Sequence, residues 1–177
     1  LPYHNFHDQE YQFISTYRKR FTLPEEREGR RVYLDFDGVM TAATVTLNGH
    51  TFAEHKGGFV PFSFDITDYL NLNGDNLLTV SVDSTERPDI PPHGGRVDYL
   101  VFGGIYREAR LRIVPSTFIE NVFAKPVDVL ADQRRVDVRV DLNRASAHLS
   151  EVEPVRVRVE IVAPDGSVLS SEQIGTA

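Results

Sequence analysis

Between Arg30 and Asp83 the chain alternates with a period of two, and this alternation is the strongest limit on what it can fold into. In RRVYLDFDGV, Val32, Leu34 and Phe36 point to one side, and Arg31, Tyr33 and Asp35 to the other. Val45 and Leu47 alternate with Thr44 and Thr46, and Leu78, Val80 and Val82 with Thr79 and Ser81. β-Branched and aromatic residues at this period, separated by turn residues, make half-buried antiparallel strands. Asn48-Gly49 is a hairpin signal, because a type I′ turn needs two residues that tolerate positive φ. Asp65-Ile66-Thr67-Asp68 offers capping oxygens for about one helical turn, with Ile66, Tyr69 and Leu70 placed to fasten it to a sheet. The expectation is an all-β sandwich with Val32, Leu34, Phe36, Val45, Leu47, Phe62, Phe64, Leu78, Val80, Val82, Leu111 and Ile113 between its sheets. No residue of this stretch has the look of a catalytic group.

Residues 1–16 read as a lead-in packed by Tyr3, Phe6, Tyr11 and Phe13. His4 and His7 lie near Asp8 and Glu10, which is ligand chemistry, but a segment without helical period gives them no fixed geometry. No metal and no cofactor is expected. Tyr17 to Leu23 reads as a strand ended by Pro24, and Gly57-Gly58 as a bulge or tight bend. Residues 84–104 (STERPDIPPHGGRVDYLVFGG) have no period, three prolines and two Gly-Gly steps. Loops of that length inside a compact domain are functional or disordered, and Tyr99 to Phe102 are too apolar for water, so the loop should dock on something. From Ile105 the alternation resumes, placing Arg107 on the apolar face with Ile105, Ala109, Leu111 and Ile113; there it must be paired, by a structural ion pair ahead of a substrate contact.

Pro115-Ser116-Thr117 reads as a domain boundary, dividing the chain into 1–115 and 116–177. Strands with Val-to-charge alternation follow over 118–125, 134–142, 155–162 and 167–174, and Pro164-Asp165-Gly166 turns the third into the fourth. One buried and one solvated face per strand suits an immunoglobulin-like sandwich, which needs about seven strands and about 100 residues. Only part of such a sandwich is present. Its open faces, at Val136, Val138, Val140, Val155, Val157, Val159 and Ile161, and its unpaired edges would recruit a second copy, so a homo-oligomer is expected.

The formal charge of −7, with 19 basic residues scattered along the chain, argues against nucleic acid or an anionic membrane as partner. No apolar run approaches the ~20 residues of a membrane span. Leu1-Pro2-Tyr3-His4 lacks the charged and apolar regions of a signal peptide, though the chain does not begin with Met. Without cysteine there are no disulfides or thiolate metal sites, and the redox compartment stays open.

Asp37-Gly38-Val39, Leu47-Asn48-Gly49, GGFVPFSFDITDYL at 57–70, NLLTVSV at 76–82 and GGIYREARL at 103–111 occur in an order that resembles the N-terminal sugar-binding domain of family 2 glycoside hydrolases. That family holds β-galactosidases, β-glucuronidases and β-mannosidases. The resemblance starts near Tyr17 and implies a jelly-roll domain, the start of an immunoglobulin-like domain, and a catalytic barrel elsewhere. It also implies that these 177 residues do no hydrolysis themselves. The family's acid/base Glu follows an Asn, and this sequence has neither an Asn-Glu step nor the βα repeat of a barrel. The implied partners are a carbohydrate β-glycoside and the missing barrel, in an enzyme most similar to β-galactosidases.

The resemblance gives Asp98 a role. It precedes Gly104-Ile105-Tyr106-Arg107 by six positions, as in the family's D-x5-G-[IL]-x-R arrangement. Asp98 would then reach into the barrel's pocket and accept hydrogen bonds from sugar hydroxyls, with Tyr99 beside it packing on the sugar's C–H face. In some β-galactosidases the matching Asp also helps bind a monovalent cation. By spacing alone, Asp98 reads rather as capping a turn beside Arg96. Leu100 and Val101 stand where many β-galactosidases carry Trp and Arg, which leaves the sugar open. Two further readings are a free-standing carbohydrate-binding module, which the absence of Trp disfavours, and a non-enzymatic interaction protein built of β-sandwiches.

Overall fold

A computed structural model describes residues 13–23, 29–91, 93, 102–144 and 155–175. The period-two stretch forms β2 (Arg30–Phe36), β4 (Ala42–Leu47), β7 (Phe62–Asp65) and β8 (Asn76–Asp83), joined by β1 (Ile14–Phe21) and β10 (Ala109–Pro115). Short strands β3 (Val39–Met40), β5 (His50–Thr51), β6 (His55–Lys56) and β9 (Gly104–Ile105) complete the first part. One sheet runs β1-β8-β4-β5 with β6 also on β4; the other runs β10-β2-β7. All these pairings are antiparallel.

The core lies between the two sheets. Register sets Leu34 between Phe64 and Leu111, Phe36 between Phe62 and Ala109, and Val32 beside Ile113. Val45, Leu47, Val80 and Val82 face them and are at most 2% exposed. All twelve residues expected between the sheets belong to this cluster, seven buried and five partly buried. Ile66, fully buried, joins them as the expected staple. It is held by its own N–H on Val32 O, while Asp65 Oδ1 accepts from Thr67 N and Oγ1 to start the 3-10 turn Thr67–Tyr69.

Asn48 and Gly49 both take positive φ, 50° and 89°, and close the β4–β5 turn as their residue types require. Asn48 also reaches across: its Nδ2 donates to Asn76 Oδ1 and Tyr69 O, and its Oδ1 accepts from Leu77 N. Asn76 is completely buried and uses both ends of its amide, accepting also from Asn71 N and donating to Asn71 O. A buried amide is tolerated because its hydrogen bonds are made.

The other face of β2 is not solvated, contrary to the plain alternation. Tyr33 and Asp35 are 9% and 8% exposed. Cover comes from β11 (Thr117–Val127), which pairs with β12 (Arg135–Arg144), and from the arginines of β10. Phe118 meets Tyr33 edge-on at 5.7 Å, Arg112 lies 4.6 Å over the same ring, and Arg31 binds Asp65 and Asn143. The Tyr33 hydroxyl is buried without a hydrogen-bond partner among the described residues. Burial pushes its pKa up, and the Asp65 carboxylate adds to the shift. Tyr33→Phe should therefore keep the ring contacts and leave stability unchanged or higher by up to about 1 kcal/mol, measured by urea unfolding. A loss above about 1 kcal/mol would mean that the hydroxyl has a partner, such as a buried water.

Two compact units are present, residues 1–144 and 145–177, with β11 and β12 in the first. In the second, β13 (Arg156–Val162) and β14 (Val168–Gly175) form a two-stranded ribbon. Its turn is the expected one: Gly166 has φ +86°, and Asp165 Oδ1 accepts from Ser167 N and Oγ.

Candidate functional site

The 84–104 loop leaves the sheet at the end of β8 and returns at β9. Asp83 Oδ1 accepts from Thr85 N at 3.0 Å and from Thr85 Oγ1 at 2.7 Å, which turns the chain off the strand. One hydroxyl then joins both roots of the loop. Ser84 Oγ donates to Met40 O at 3.0 Å and accepts from Gly104 N at 3.1 Å, while Met40 pairs with Gly104 in the β3–β9 ladder. Gly103 has to be glycine here, because a Cβ would lie 2.7 Å from the Ser84 side chain.

Beyond Ser84 the outgoing arm is held by charge. Arg87 donates to Glu54 at 2.8 Å and to both oxygens of Asp89 at 3.1 Å, and Lys56 binds Asp89 at 2.5 Å. The Lys56 and Arg87 hydrogen bonds hold the Asp89 carboxyl down at about 2. Ion pairs this exposed add little to stability; their effect is to fix the path of the arm over β6. Ile90, 2% exposed, anchors its apolar side. Neither Ser84 nor Arg87 stood out in the sequence, although the charge alternation Glu86-Arg87-Pro88-Asp89 was there to be read.

Asp98 and Tyr99 lie outside the described residues, as do Arg96, Leu100, Val101, His4 and His7. Arg107 is described, and the expectation for it was wrong. It is exposed rather than on the apolar face, stacks 5.2 Å over Tyr106, and has no ion pair among the described residues. The reason is local: β9 stops at Ile105 and β10 begins at Ala109, so 106–108 form a bend that breaks the alternation.

A second charged cluster lines the outer face of β2. Asp35 accepts from Ser63 at 2.5 Å and from Arg112 Nε at 2.8 Å, and Arg110 binds Asp37 at 2.7 Å. Burial raises the Asp35 pKa, but the Arg112 and Ser63 hydrogen bonds and the two arginine charges outweigh it and hold the carboxyl low. Asp65 follows the same pattern, its burial outweighed by Thr67 and Arg31. Carboxylates displaced downward are the reverse of what a general acid needs at neutral pH, so this cluster is structural. No group of three or more metal-ligating side chains occurs among the described residues.

Asp35→Asn should cost about 1–2 kcal/mol at neutral pH through the weakened Arg112 bonds. A carboxyl whose folded pKa is depressed stabilises above its unfolded pKa of about 3.9 and stops doing so as pH falls through the folded value. The stability gap between wild type and variant should thus be constant above about pH 5 and close below about pH 4. A gap that persists in acid would show that its cause is packing rather than charge.

A family model described as glycosyl hydrolase 2 galactose-binding domain-like matches residues 2–93. A β-galactosidase of Thermoanaerobacter pseudethanolicus is 42% identical over 97% of this chain, which covers 22% of that enzyme. A β-galactosidase of Thermoanaerobacterium thermosulfurigenes is 36% identical over 99% of the chain, again with 24% of the enzyme covered. Among solved structures, Bacteroides uniformis β-glucuronidase 2, bound covalently to a cyclophellitol-carboxylate aziridine, superposes with a TM-score of 0.81 at 30% identity, over 94% of this chain and 20% of that one. The chain thus spans about a fifth of the length of these relatives. With its β-sandwich core and its motifs in the order the sequence shows, the chain belongs to the glycosyl hydrolase 2 galactose-binding domain-like family.

Proposed function

We propose that this chain is the non-catalytic N-terminal part of a retaining family 2 β-galactosidase. In this reading residues 1–115 are the jelly-roll domain and 116–177 begin an immunoglobulin-like sandwich. The domain braces a catalytic barrel and lends the 84–104 loop to its sugar pocket, with Asp98 accepting from sugar hydroxyls and Tyr99 packing beside it. The observation that carries this is the anchorage of the loop: Ser84 joins both roots, and Glu54, Lys56, Arg87 and Asp89 fix the outgoing arm. Anchors at both roots and along the outgoing arm give the loop the fixed base from which a binding side chain can be positioned. The choice of galactoside rests on the 42% and 36% identities to β-galactosidases over nearly the whole chain.

The test is hydrolysis by the intact protein of nitrophenyl β-galactoside and β-glucuronide side by side. Release from the galactoside, and none by the 177-residue chain alone, is expected. Turnover of the glucuronide alone would overturn the substrate, and turnover by the short chain would overturn its non-catalytic role. Tight glycan binding by the short chain would favour a free-standing carbohydrate-binding module. We also propose a homo-oligomer. Val122 and Val136 on the β11–β12 ribbon and Ile161 and Ile174 on the β13–β14 ribbon are 38–55% exposed, beside strand edges left unpaired among the described residues. Sedimentation at micromolar concentration should show a dimer or larger; a strict monomer would sink this part.

A further inference from the structure

We propose that Asn73-Gly74 is a site of spontaneous deamidation, and that Asn48-Gly49 is held out of the same reaction by its hydrogen bonds. These are the two Asn-Gly steps of the sequence. In such a step the glycine nitrogen attacks the asparagine Cγ, because no Cβ on the glycine shields it. The new N–Cγ bond closes a cyclic imide, the Cγ–Nδ2 bond breaks, and ammonia leaves with the proton of the glycine amide. Water then opens the imide at one carbonyl or the other, giving Asp or isoAsp. The reaction needs an unbonded glycine N–H, a side-chain amide able to turn onto its own backbone, and access for water.

Asn73 and Gly74 meet these needs. Both are exposed, in the turn that leads into β8. Neither the Asn73 amide nor the Gly74 N–H makes a hydrogen bond among the described residues. A Cβ built on Gly74 would meet nothing within 4 Å beyond its chain neighbours. Asn48 is the opposite case, although its turn is exposed too. Its Oδ1 accepts from Leu77 N at 2.9 Å, and its Nδ2 donates to Asn76 Oδ1 and Tyr69 O, both at 2.8 Å. Turning this amide onto Gly49 would break all of these bonds and take a donor from the buried Asn76 oxygen. What the reaction at Asn73 alters is the entry to β8. Asn71 N donates to Asn76 Oδ1 at 2.7 Å, Asn76 Nδ2 to Asn71 O at 3.1 Å, and Asn71 Nδ2 to Asp75 O at 3.0 Å, which clasps the turn from both ends. An isoAsp at this position puts an extra methylene into the main chain inside that clasp. It also adds a negative charge to a chain already at −7. The buried Asn76 hub sits at the base of the clasp, so the modified turn loosens it.

Peptide mapping by mass spectrometry, after incubation of the intact protein at mildly alkaline pH, tests this. In the folded protein Asn73 should convert about tenfold or more faster than Asn48, which reacts only from molecules whose hydrogen bonds there have opened. In urea the two should convert at similar rates. Conversion of Asn48 as fast as Asn73 in the folded protein overturns the proposal. So does an Asn73 that converts in urea but not in the fold. A difference that persists in urea would place its cause in the neighbouring residues, and the protection of Asn48 by the fold would fall. Gly74→Ala, for which the turn has room, should keep the urea midpoint and slow Asn73 about tenfold or more by shielding the attacking nitrogen. Aged wild type should then lose urea midpoint while the equally aged variant keeps it. Equal losses in the two would overturn the link between this turn and the Asn76 hub.

Discussion

On the proposed reading, Asp98→Ala in the intact protein should lower kcat/KM on a nitrophenyl β-galactoside by about 10²–10⁴ while leaving the unfolding midpoint in place. A carboxylate accepts two hydrogen bonds from neighbouring hydroxyls, and hydrogen bonds to a charged group are worth about 1.5–3 kcal/mol each. At about 1.4 kcal/mol per tenfold, losing both gives that range. The loss should fall on kcat as well as KM, because contacts to a ring that flattens towards an oxocarbenium strengthen in the transition state. Asp98→Asn, which keeps one acceptor oxygen but no charge, should fall between. Unchanged kinetics would return Asp98 to capping a turn beside Arg96, and the loop anchors at Ser84 and Arg87 would then serve the domain alone.

The strands were legible wherever side chains alternate against a single core. Val32, Leu34 and Phe36 of β2 lie where period two puts them, and so do Val45, Leu47, Val80 and Val82. The second face of β2 was not legible. Arg31-Tyr33-Asp35 reads the same whether water or another ribbon covers it, and the cover arrives from Arg112 and Phe118, about 80 positions along the chain. Such pairing depends on tertiary context and leaves no local mark. Arg107 was misplaced for a related reason: Tyr106-Arg107-Glu108 contains no glycine or proline to announce a bend, so period two was carried through it. Asn76 looked like a turn residue and is a fully buried hub, since one amide can satisfy the Asn48 and Asn71 groups together. The roles proposed for Asp98 and Tyr99 rest on the family resemblance, while the bond of Ser84 to Met40 at the roots of their loop is a tertiary contact that no spacing rule encodes.

Phe36→Ala should be the most damaging single truncation in the sandwich. Phe36 is 1% exposed, sits at the centre of the β10-β2-β7 sheet opposite Phe62, and stacks on that ring at 4.9 Å with the planes 16° apart. Removing a buried phenyl loses its transfer energy and leaves a cavity, together about 3–5 kcal/mol. The ring pair adds about 0.5–1.5 kcal/mol that Leu34, equally central but aliphatic, does not have. Leu34→Ala should accordingly cost about 2–5 kcal/mol and fall at or below the Phe36 variant. Collapse into the hole is limited on the far side of β2, where Tyr33 and Asp35 are pinned by Arg112 and Phe118. Against a total stability of about 5–15 kcal/mol, the Phe36 loss is a large fraction. The urea midpoint should fall at constant m-value. A loss below about 1 kcal/mol would mean that the two sheets repack around the gap, and that the register holding Phe36 between Phe62 and Ala109 is not what fixes this core.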